Sequence, residues 1–469
     1  MQLLFSICLL TIVLENDNPS STLVDAIERR DWSAATESLK DKKQIALTQP
    51  DGMTALHWAV FHKRSDIVKQ LLSCGASVDP LTHYEVTPLG IGCLQGEPKC
   101  VQLLLDAGAN ANRAQPGGET PLMTAAKNGS PEVLKALIEH GAKLDVVERK
   151  GQTALMWAAA EGNGEAVQVL IDAGADLKIE LKSGFNAIMF AAREGRIDVV
   201  RRLLDAGINV NATMGTDKNG RGPRPGTSAL MLAVESGHFE LALYLVSRGA
   251  DPNDQRSEFT PLHALSWVRK PASGDGIDGD PPPRGSGSMP SLEFVRRLVE
   301  SGADVNAQLE RGPAGKARLN MKGATPFLLA SKTADLPLLQ VLLELGADPN
   351  KANIDNCIPL LAAAGIGTTA VGEEPGTEPE VLETIEFLLG LGAEMNAIDN
   401  NKESVMHGAA YRAHPKVAQL LTQRGAKPSI WNHKNKHNWT PMSIARGSRP
   451  GSVKPDLEMI AILEKLSQE

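Results

Sequence analysis

The stretch "DGMTALHWAV" at residues 51–60 contains a short motif that recurs many times in this chain. Close copies are "ETPLMTAA" at 119–126, "QTALMWAA" at 152–159 and "FTPLHALS" at 259–266. The opening residue of the motif, Thr or a replacement for it, falls at Thr54, Thr87, Thr120, Thr153 and Asn186, 33 residues apart each time, and then at Ser228, Thr260, Thr325, Ile358, Ser404 and Thr440. A fixed period of this length is typical of a solenoid, in which similar units stack in a row.

A second motif runs in phase with the first and begins with glycine. It reads "GASVD" from Gly75, "GANAN" from Gly108 and "GADVN" from Gly302. Further copies begin at Gly141, Gly174, Gly207, Gly249, Gly346, Gly392 and Gly425. Because the two motifs alternate in a constant order, we expect every unit to have the same internal plan.

The residue types of the first motif predict the start of a helix. The hydroxyl of the first Thr or Ser can accept a backbone N–H that has no partner within the helix. Several copies continue with proline, such as Pro121, at a position where the missing N–H costs little. Small residues such as Ala125 and Ala126 let a second helix pack closely, and Gly129 would end the first helix in a left-handed conformation. The Asp- and Asn-rich segment after the second motif suits a turn.

With this motif and this period, the chain is identified as a member of the ankyrin-repeat superfamily. The resemblance covers residues 20–469. It implies an all-α fold, an ankyrin-repeat solenoid of about twelve stacked helix-turn-helix units with hairpin-like loops. Residues 20–53 and 440–469 are expected to be the N-terminal and C-terminal capping repeats. The family implies recognition of a macromolecule through the concave face of the solenoid.

Departures from the 33-residue spacing indicate enlarged loops. Residues 269–290 and 365–380 are rich in Gly and Pro and are predicted to be flexible insertions between the two helices of a repeat. Longer hairpins between repeats are predicted at 213–226, 308–323 and 430–439. Their basic residues are Lys218, Arg221, Arg224, Arg311, Lys316, Arg318, Lys322, Lys434 and Lys436. This charge bias favours either an acidic partner or charged loop tips that keep the chain soluble.

Residues 1–19 form an apolar leader whose hydrophobic run has the length found in signal peptides. No Lys or Arg precedes the run, and no A-x-A-like cleavage site follows it. Two interpretations stay open: an imperfect signal peptide of an exported protein, periplasmic or secreted, or an apolar leader on a cytoplasmic one. Later segments lack an apolar run long enough to cross a bilayer, so no integral membrane segment is expected.

Two cysteines and several histidines are the candidates for chemistry. Cys93 and Cys100 are predicted to face each other within one repeat, as a disulfide in an exported protein or as two buried thiols. In ankyrin repeats a histidine at the fourth motif position, held by His57, His263 and His407 in this chain, bridges adjacent repeats. Methionine occupies that position at Met123, Met156, Met189 and Met231, so the position does not require an imidazole.

The sequence does not predict an enzyme. His433 and His437 are four residues apart but lie in a presumed loop without a further metal ligand nearby. No nucleophile, base and acid occur at a meaningful spacing. We therefore expect no catalytic residue, no metal and no cofactor.

The fifth motif position is predicted to face the binding groove rather than the core. It is occupied by Trp58, Ile91, Thr124, Trp157, Phe190, Leu232, Ala264 and Leu329. The partner-binding residues predicted from this position and its neighbours are Trp58, Phe61, His62, Tyr84, Lys127, Trp157, Glu161, Phe190, Arg193 and Glu194. Exposed aromatic residues beside charged ones are typical of interface hot spots. The alternative is that the bulky residues pack against the next repeat.

The net charge of −8 does not favour binding to nucleic acid or to a membrane surface. The first hypothesis is a non-enzymatic, monomeric scaffold that binds a protein partner, acidic if the basic hairpins take part, in its concave groove. The second is a regulatory or inhibitory subunit that controls an enzyme or a toxin. The identity of the partner would separate the two.

Overall fold

The protein is built of short helices. The computed structural model describes residues 22–215, 224–272, 282–315, 318–449 and 454–467. Apart from isolated β-bridges such as Thr48–Thr54, the regular structure of these segments is helical. The helices are α1 (Leu23–Glu28), α2 (Trp32–Ser38), α3 (Lys42–Ile45), α4 (Ala55–Phe61), α5 (Ser65–Ser73), α6 (Pro88–Gln95), α7 (Pro98–Asp106), α8 (Pro121–Asn128), α9 (Pro131–Glu139), α10 (Ala154–Glu161), α11 (Gly164–Asp172), α12 (Ala187–Arg193), α13 (Ile197–Asp205), α14 (Ala229–Glu235), α15 (Phe239–Ser247), α16 (Pro261–Arg269), α17 (Ser291–Glu300), α18 (Pro326–Lys332), α19 (Leu336–Glu344), α20 (Pro359–Ala364), α21 (Glu378–Gly390), α22 (Val405–Arg412), α23 (Pro415–Gln423), α24 (Pro428–Trp431), α25 (Pro441–Ala445) and α26 (Leu457–Leu466). The apolar leader lies outside the described residues.

The helices form two compact units. The first comprises the described residues up to Ala158 together with Glu165–Asp176, and the second comprises Ala159–Gly164 together with the residues from Leu177 onward. In the first unit α4 packs on α6 and α6 on α8, while α5 packs on α7 and α7 on α9. In the second unit α12, α14, α16, α18, α20 and α22 pack one on the next in the same way. Helix pairs therefore stack within each unit, which confirms the predicted all-α solenoid.

The first helix of each pair begins as the motif predicts. Thr54 caps α4 by accepting the His57 backbone N–H at 3.4 Å, and Thr325 caps α18 by accepting the Leu328 N–H at 3.1 Å. Gly129 ends α8 with φ of +79°. The position after the helix keeps this left-handed conformation even where it holds Lys63 or Ala334. The geometry of the turn is thus set by the fold rather than by glycine alone.

The buried histidines connect one repeat to the next. The His57 Nδ1 accepts the Thr54 backbone N–H at 3.1 Å, which leaves Nε2 to donate to the Val86 carbonyl of the following repeat at 3.1 Å. His263 reaches the Ala324 carbonyl in the same way at 3.0 Å. Burial lowers the pKa of His57 and lowers that of His263 to about 4, so both rings are neutral at pH 7. These contacts agree with the bridging role predicted for His57 and His263, whereas the Nε2 of His407 makes no hydrogen bond within the described residues.

Replacing His57 by methionine is expected to cost little stability. The Val86 carbonyl also accepts the Thr82 N–H at 3.1 Å, so it keeps a partner when the imidazole is removed. A volume-conserving change of this kind costs less than about 1.5 kcal/mol, whereas His57→Ala leaves a cavity and should cost roughly 2 kcal/mol or more. Thermal unfolding followed by circular dichroism ranks the two variants. Equal destabilisation by Met and Ala would show that the hydrogen bond, not the volume, is the main contribution.

The asparagine of the second motif forms a clamp between repeats. Asn253 donates its amide to the Gly302 carbonyl at 2.9 Å and accepts the Asp304 N–H at 2.7 Å. The same pair of bonds joins Asn306 to Gly346 and Asp348, at 2.9 and 2.8 Å. The segment that the sequence predicts only as a turn therefore also fixes the distance between successive second motifs.

The described end of the insertion at 269–290 packs along the preceding repeats. The Ser286 N–H donates to His238 Nδ1 at 2.7 Å, and the Ser288 and Met289 N–H groups donate to Glu240 Oε1 at 2.7 and 2.8 Å. Gly285 approaches the Gly237 carbonyl so closely that a Cβ atom there would lie 1.7 Å from the oxygen. Composition predicts flexibility here, but these contacts hold residues 285–289 against α15 and the turn before it.

A buried ion pair anchors the other end of this insertion. Arg269, the last residue of α16, donates two hydrogen bonds to Asp335, at 2.7 Å from Nε and 3.0 Å from the terminal nitrogen. Asp335 is 1% exposed, and its Oδ1 also accepts the Leu338 N–H as the cap of α19. One carboxylate therefore closes a salt bridge between two repeats and starts a helix.

Buried polar groups cluster near the hairpin that precedes α22. Glu403 Oε1 accepts the Tyr411 hydroxyl and the Asn435 amide, each at 2.8 Å. Burial raises the pKa of Glu403 to about 7, and the nearby Asp399 and Asp355 carboxylates raise it in the same direction. Burial also raises the pKa of Asp399, to about 6. The folded state of this region therefore favours protonated carboxyl groups.

Candidate functional site

The first helices of the first unit present equivalent residues at intervals of one repeat. Trp58, Thr124 and Trp157 of the fifth motif position are half-buried, while Ile91 at the same position is 8% exposed. Three residues further along, Phe61 is half-buried, Leu94 is 50% exposed and Lys127 is exposed. We call the half-buried and exposed residues of this set, with His62, the inner-helix surface. Its members are Trp58, Phe61, His62, Leu94, Thr124, Lys127 and Trp157.

Aromatic rings pack together at the beginning of the inner-helix surface. The Trp58 ring stacks on His62 at 5.8 Å between centroids, and Phe61 meets Trp58 edge to face at 5.5 Å. Trp32 from α2 contacts the other side of His62 at 6.0 Å. The Trp58 Nε1 donates to Gln49 Oε1 at 2.8 Å, so the indole has one orientation. The result is a rigid and partly exposed aromatic cluster in a chain with 4% aromatic residues.

His62 is fixed within this cluster by two polar contacts. Its Nε2 donates to the Glu28 carbonyl at 3.2 Å, and its Nδ1 accepts from Arg30 Nε at 3.3 Å. Burial lowers the pKa of His62, and the positive charge of Arg30 lowers it further. The ring is therefore neutral at pH 7 and contributes to the surface as an aromatic group.

A cation lies over the second tryptophan of the surface. The Lys127 Nζ is 4.7 Å from the centroid of the Trp157 ring in the next repeat. A contact of this kind stabilises the two side chains by roughly 0.5–1 kcal/mol where it is exposed. The two side chains thus present a positive charge that lies on an indole ring.

Tyr84 lies at the tip of the hairpin before α6 and is 80% exposed. The adjacent Leu81 is 37% exposed. The hairpin itself is ordered, because its His83 N–H donates to the Asp51 carbonyl of the preceding hairpin at 2.8 Å. A large apolar side chain on a fixed loop is suited to contact with another protein.

In the second unit the structure departs from the sequence-based expectation for Phe190. Its ring is 6% exposed, because Phe185 meets it edge to face at 4.6 Å. The Arg193 guanidinium covers both rings at 5.3 and 5.5 Å. Phe190 is therefore a packing residue rather than a free contact surface. Glu161, Arg193 and Glu194 are exposed, and Arg193 pairs with Glu194 at 3.0 Å.

The basic hairpin residues are partly engaged within the chain. Arg224 forms an ion pair with Glu235, and its guanidinium lies 5.5 Å from both the Phe259 and Trp267 rings. Arg311 donates to a backbone carbonyl at 2.8 Å. Lys218, Arg221 and Lys316 lie outside the described residues. Arg224 and Arg311 are thus engaged within the chain.

The remaining candidates for chemistry have structural surroundings. Cys93 and Cys100 are buried free thiols, and burial raises the pKa of both, that of Cys100 to about 12. His433 Nε2 lies 2.8 Å from the Lys402 carbonyl. Across the described segments, we find no group of three or more His, Cys, Asp or Glu side chains placed to hold a metal. Across the same segments, no helix is both long and apolar enough to cross a bilayer.

Comparison with known proteins finds ankyrin repeats in both units. The family model described as three copies of the ankyrin repeat matches residues 23–115, 89–180, 122–214 and 175–256. The model of the single ankyrin repeat matches residues 322–354.

The matching proteins each share part of their length with this chain. Human ankyrin repeat domain-containing protein 63 is 33% identical over 208 residues, which are 43% of this chain and 44% of that protein. Human transient receptor potential cation channel subfamily A member 1 is 26% identical over 212 residues, 43% of this chain and 15% of that protein. The chain thus spans less than half of these relatives. The solved ankyrin repeat domain of human ASB11 matches with 25% identity and a TM-score of 0.43, covering 50% of this chain and all of that one.

Proposed function

Because the chain belongs to the ankyrin-repeat family, whose models match more than half of it, we propose that it is a non-enzymatic scaffold that binds a protein partner. We place the contact in the first unit, on the inner-helix surface together with Tyr84. The observation that supports this most is the aromatic cluster of Trp58, Phe61 and His62, which is ordered and only half-buried.

Order in the free protein favours binding. Association costs free energy when side chains lose rotamer freedom at an interface. The Trp58 ring is already held by Gln49 and His62, and Trp157 by Lys127, so little of this cost remains. Tryptophan and tyrosine are also enriched among residues whose truncation weakens complexes most.

Charge on the same surface supports an acidic group in the partner. A partner carboxylate that approached Lys127 would meet the cation and the edge of the Trp157 ring together. For the second unit, taken by itself, the exposed charged residues Glu161, Arg193 and Glu194 remain proposed partner contacts. Phe190 is withdrawn from it because the ring is buried.

The test compares proteins that co-purify with two forms of the tagged full chain. With Trp58→Ala/Trp157→Ala as bait, we expect the proteins enriched by the wild type to fall at least about tenfold by mass spectrometry, since truncated hot spots cost 2 kcal/mol or more each. Leu457→Ala, which truncates a 78% exposed residue in the second unit, is the matched control and should keep them. Far-UV circular dichroism must be unchanged in all three proteins. Equal capture by the double variant would remove the inner-helix surface from the proposal.

The same experiment separates the scaffold from the alternative of an inhibitory subunit. If the captured partner is an enzyme or a toxin whose activity falls on titration with this chain, the regulatory function is supported. Repeating the capture at high salt measures the electrostatic share, because exposed charge contacts weaken as ionic strength rises. Capture that is insensitive to salt would argue against an acidic partner.

A further inference from the structure

The loop at 365–377, which joins α20 to α21 within the insertion at 365–380, lines a partly open cavity together with α22 and the turn after it. The cavity has a volume of about 200 Å³. Its lining includes Thr368, Glu374, Gly376, Thr377, Arg412 and His414. The loop that sequence composition predicts to be flexible therefore forms one wall of a defined polar space.

Arg412 is the most buried charge beside the cavity. It is 4% exposed, and its terminal nitrogens donate to the carbonyls of Pro375 at 3.0 Å, Gly376 at 3.2 Å and Lys332. Its Nε has no acceptor in the described part of the chain. The guanidinium therefore holds the loop through neutral carbonyls and hydrogen-bonds no carboxylate there.

The charges around Arg412 do not cancel. The carboxylate whose field favours the charged form of Arg412 is that of Glu374. Glu374 already forms an ion pair of 2.5 Å with Lys332, and each side chain is less than one-fifth exposed. The single carboxylate of Glu374 thus interacts with two positive charges, those of Lys332 and Arg412. Buried charges are normally paired, because an uncompensated charge costs several kcal/mol when it is removed from water.

Two more polar groups at the cavity lack partners. Thr368 is 2% exposed, and its hydroxyl makes no hydrogen bond within the described residues. The Nδ1 of His414 is also without a partner there. Burial lowers the pKa of His414 to about 4, and the Arg412 charge acts in the same direction. A neutral imidazole has one N–H to donate, and the threonine hydroxyl has another.

We propose that this cavity binds a small oxyanion, a phosphate or a carboxylate group, which supplies the negative charge that Arg412 lacks. Thr368 and His414 would donate to it, and the loop at 365–377 would close over it. An anion at this place would join repeats that the loop and Arg412 already connect. The proposal uses no residue of the inner-helix surface and does not depend on the proposed function.

Titration of the full chain with inorganic phosphate, and separately with acetate, tests the site at pH 7 and constant chloride. Isothermal calorimetry and the histidine ring signals in NMR report binding. We expect saturable binding of one of the two anions with a dissociation constant in the millimolar range or below. We also expect the His414 pKa to rise on saturation, because the anion offsets the Arg412 charge.

Three variants decide whether the cavity is responsible. Thr368→Val keeps the shape but removes the hydroxyl, and His414→Gln removes the imidazole; each should weaken binding at least about fivefold with an unchanged circular dichroism spectrum. Arg424→Gln is the matched control, because Arg424 is an exposed arginine of the same repeat that pairs with Glu386 at 2.7 Å, and it should bind as the wild type does. Absence of saturable binding by both anions, or equal binding by all three variants, would overturn the proposal.

Discussion

Asp335→Ala is expected to destabilise the second unit by roughly 3–5 kcal/mol, the range measured when one partner of a buried ion pair is removed. Asp335 is 1% exposed and holds the Arg269 guanidinium with two hydrogen bonds. Without the carboxylate the arginine charge stays buried with no counterion. The variant also loses the cap of α19, where the Asp335 side chain accepts the Leu338 N–H.

Hydrogen exchange measured by mass spectrometry locates this loss, which matters because long repeat arrays do not always unfold in one step. Peptides from α16 and α19 should lose protection in Asp335→Ala, and Asp335→Asn should separate the lost charge from the lost cap. Asp205→Ala serves as the control, since it breaks an ion pair of similar length, 2.8 Å to Arg248, at an exposed position. Similar exchange in the Asp335 and Asp205 variants would show that burial of the pair does not matter.

Glu403→Gln is expected to stabilise the protein at pH 8 and to have little effect at pH 4. The pKa of Glu403 is about 7 in the folded state and 4.5 for a free glutamate. Because the folded value is raised, the favourable contribution is fully present below pH 4.5 and is lost as the pH rises through 7. A pKa shift of this size changes the free energy of unfolding by roughly 3 kcal/mol between pH values below 4.5 and pH values above 7.

Comparing Glu403→Gln with the wild type separates the pH-dependent contribution of Glu403 to stability from that of the buried histidines, which both proteins contain. Burial lowers the pKa values of His263 and His407 to about 4. Their contribution to the stability of the folded protein is therefore lost as the pH falls below 6.5, whereas the contribution of Glu403 is lost as the pH rises. Urea unfolding of both proteins from pH 4 to pH 8 measures the difference, and Glu394→Gln at an exposed position is the control. A difference that does not vary with pH would mean that Glu403 ionises normally in the folded protein.

The sequence predicts the elements of this fold better than the contacts between them. Local rules are sufficient for the Thr54 cap, the turn at Gly129 and the buried His57, because each depends on residues a few positions apart. The clamp from Asn253 to Gly302 joins residues 49 positions apart. The sequence of one repeat contains the asparagine, but its hydrogen-bond partner lies in the next repeat and cannot be identified from that stretch alone.

The same reason explains why the burial of Phe190 was not predicted. Its position in the motif predicts a ring that faces the groove, as at the half-buried Trp58 and Trp157. The ring is covered by Phe185, the residue just before the motif, where the copies with Trp58 and Trp157 have Met53 and Gln152. An aromatic residue in that place was the available signal. Leu94 was missed on the inner-helix surface, although it lies three residues beyond the fifth motif position, as the predicted Phe61 and Lys127 do. Trp32, which contacts His62, was missed because it precedes the first copy of the motif.

The insertion at 365–380 shows the limit of composition as a guide. Glycine and proline predict flexibility from local backbone preferences. The loop is held by Arg412 and by the Lys332–Glu374 pair, which lie up to 80 residues apart along the chain. These long-range contacts cannot be identified from glycine and proline content, and the flexibility of the insertion stays a prediction.

The most direct measurement is the affinity of the captured partner for purified wild type, Trp58→Ala and Leu457→Ala chains by isothermal titration calorimetry. If the inner-helix surface is the binding site, Trp58→Ala should weaken the complex by about 30-fold or more, equivalent to about 2 kcal/mol, while Leu457→Ala stays within about twofold. Affinities within about twofold for all three proteins would contradict a contact centred on the aromatic cluster.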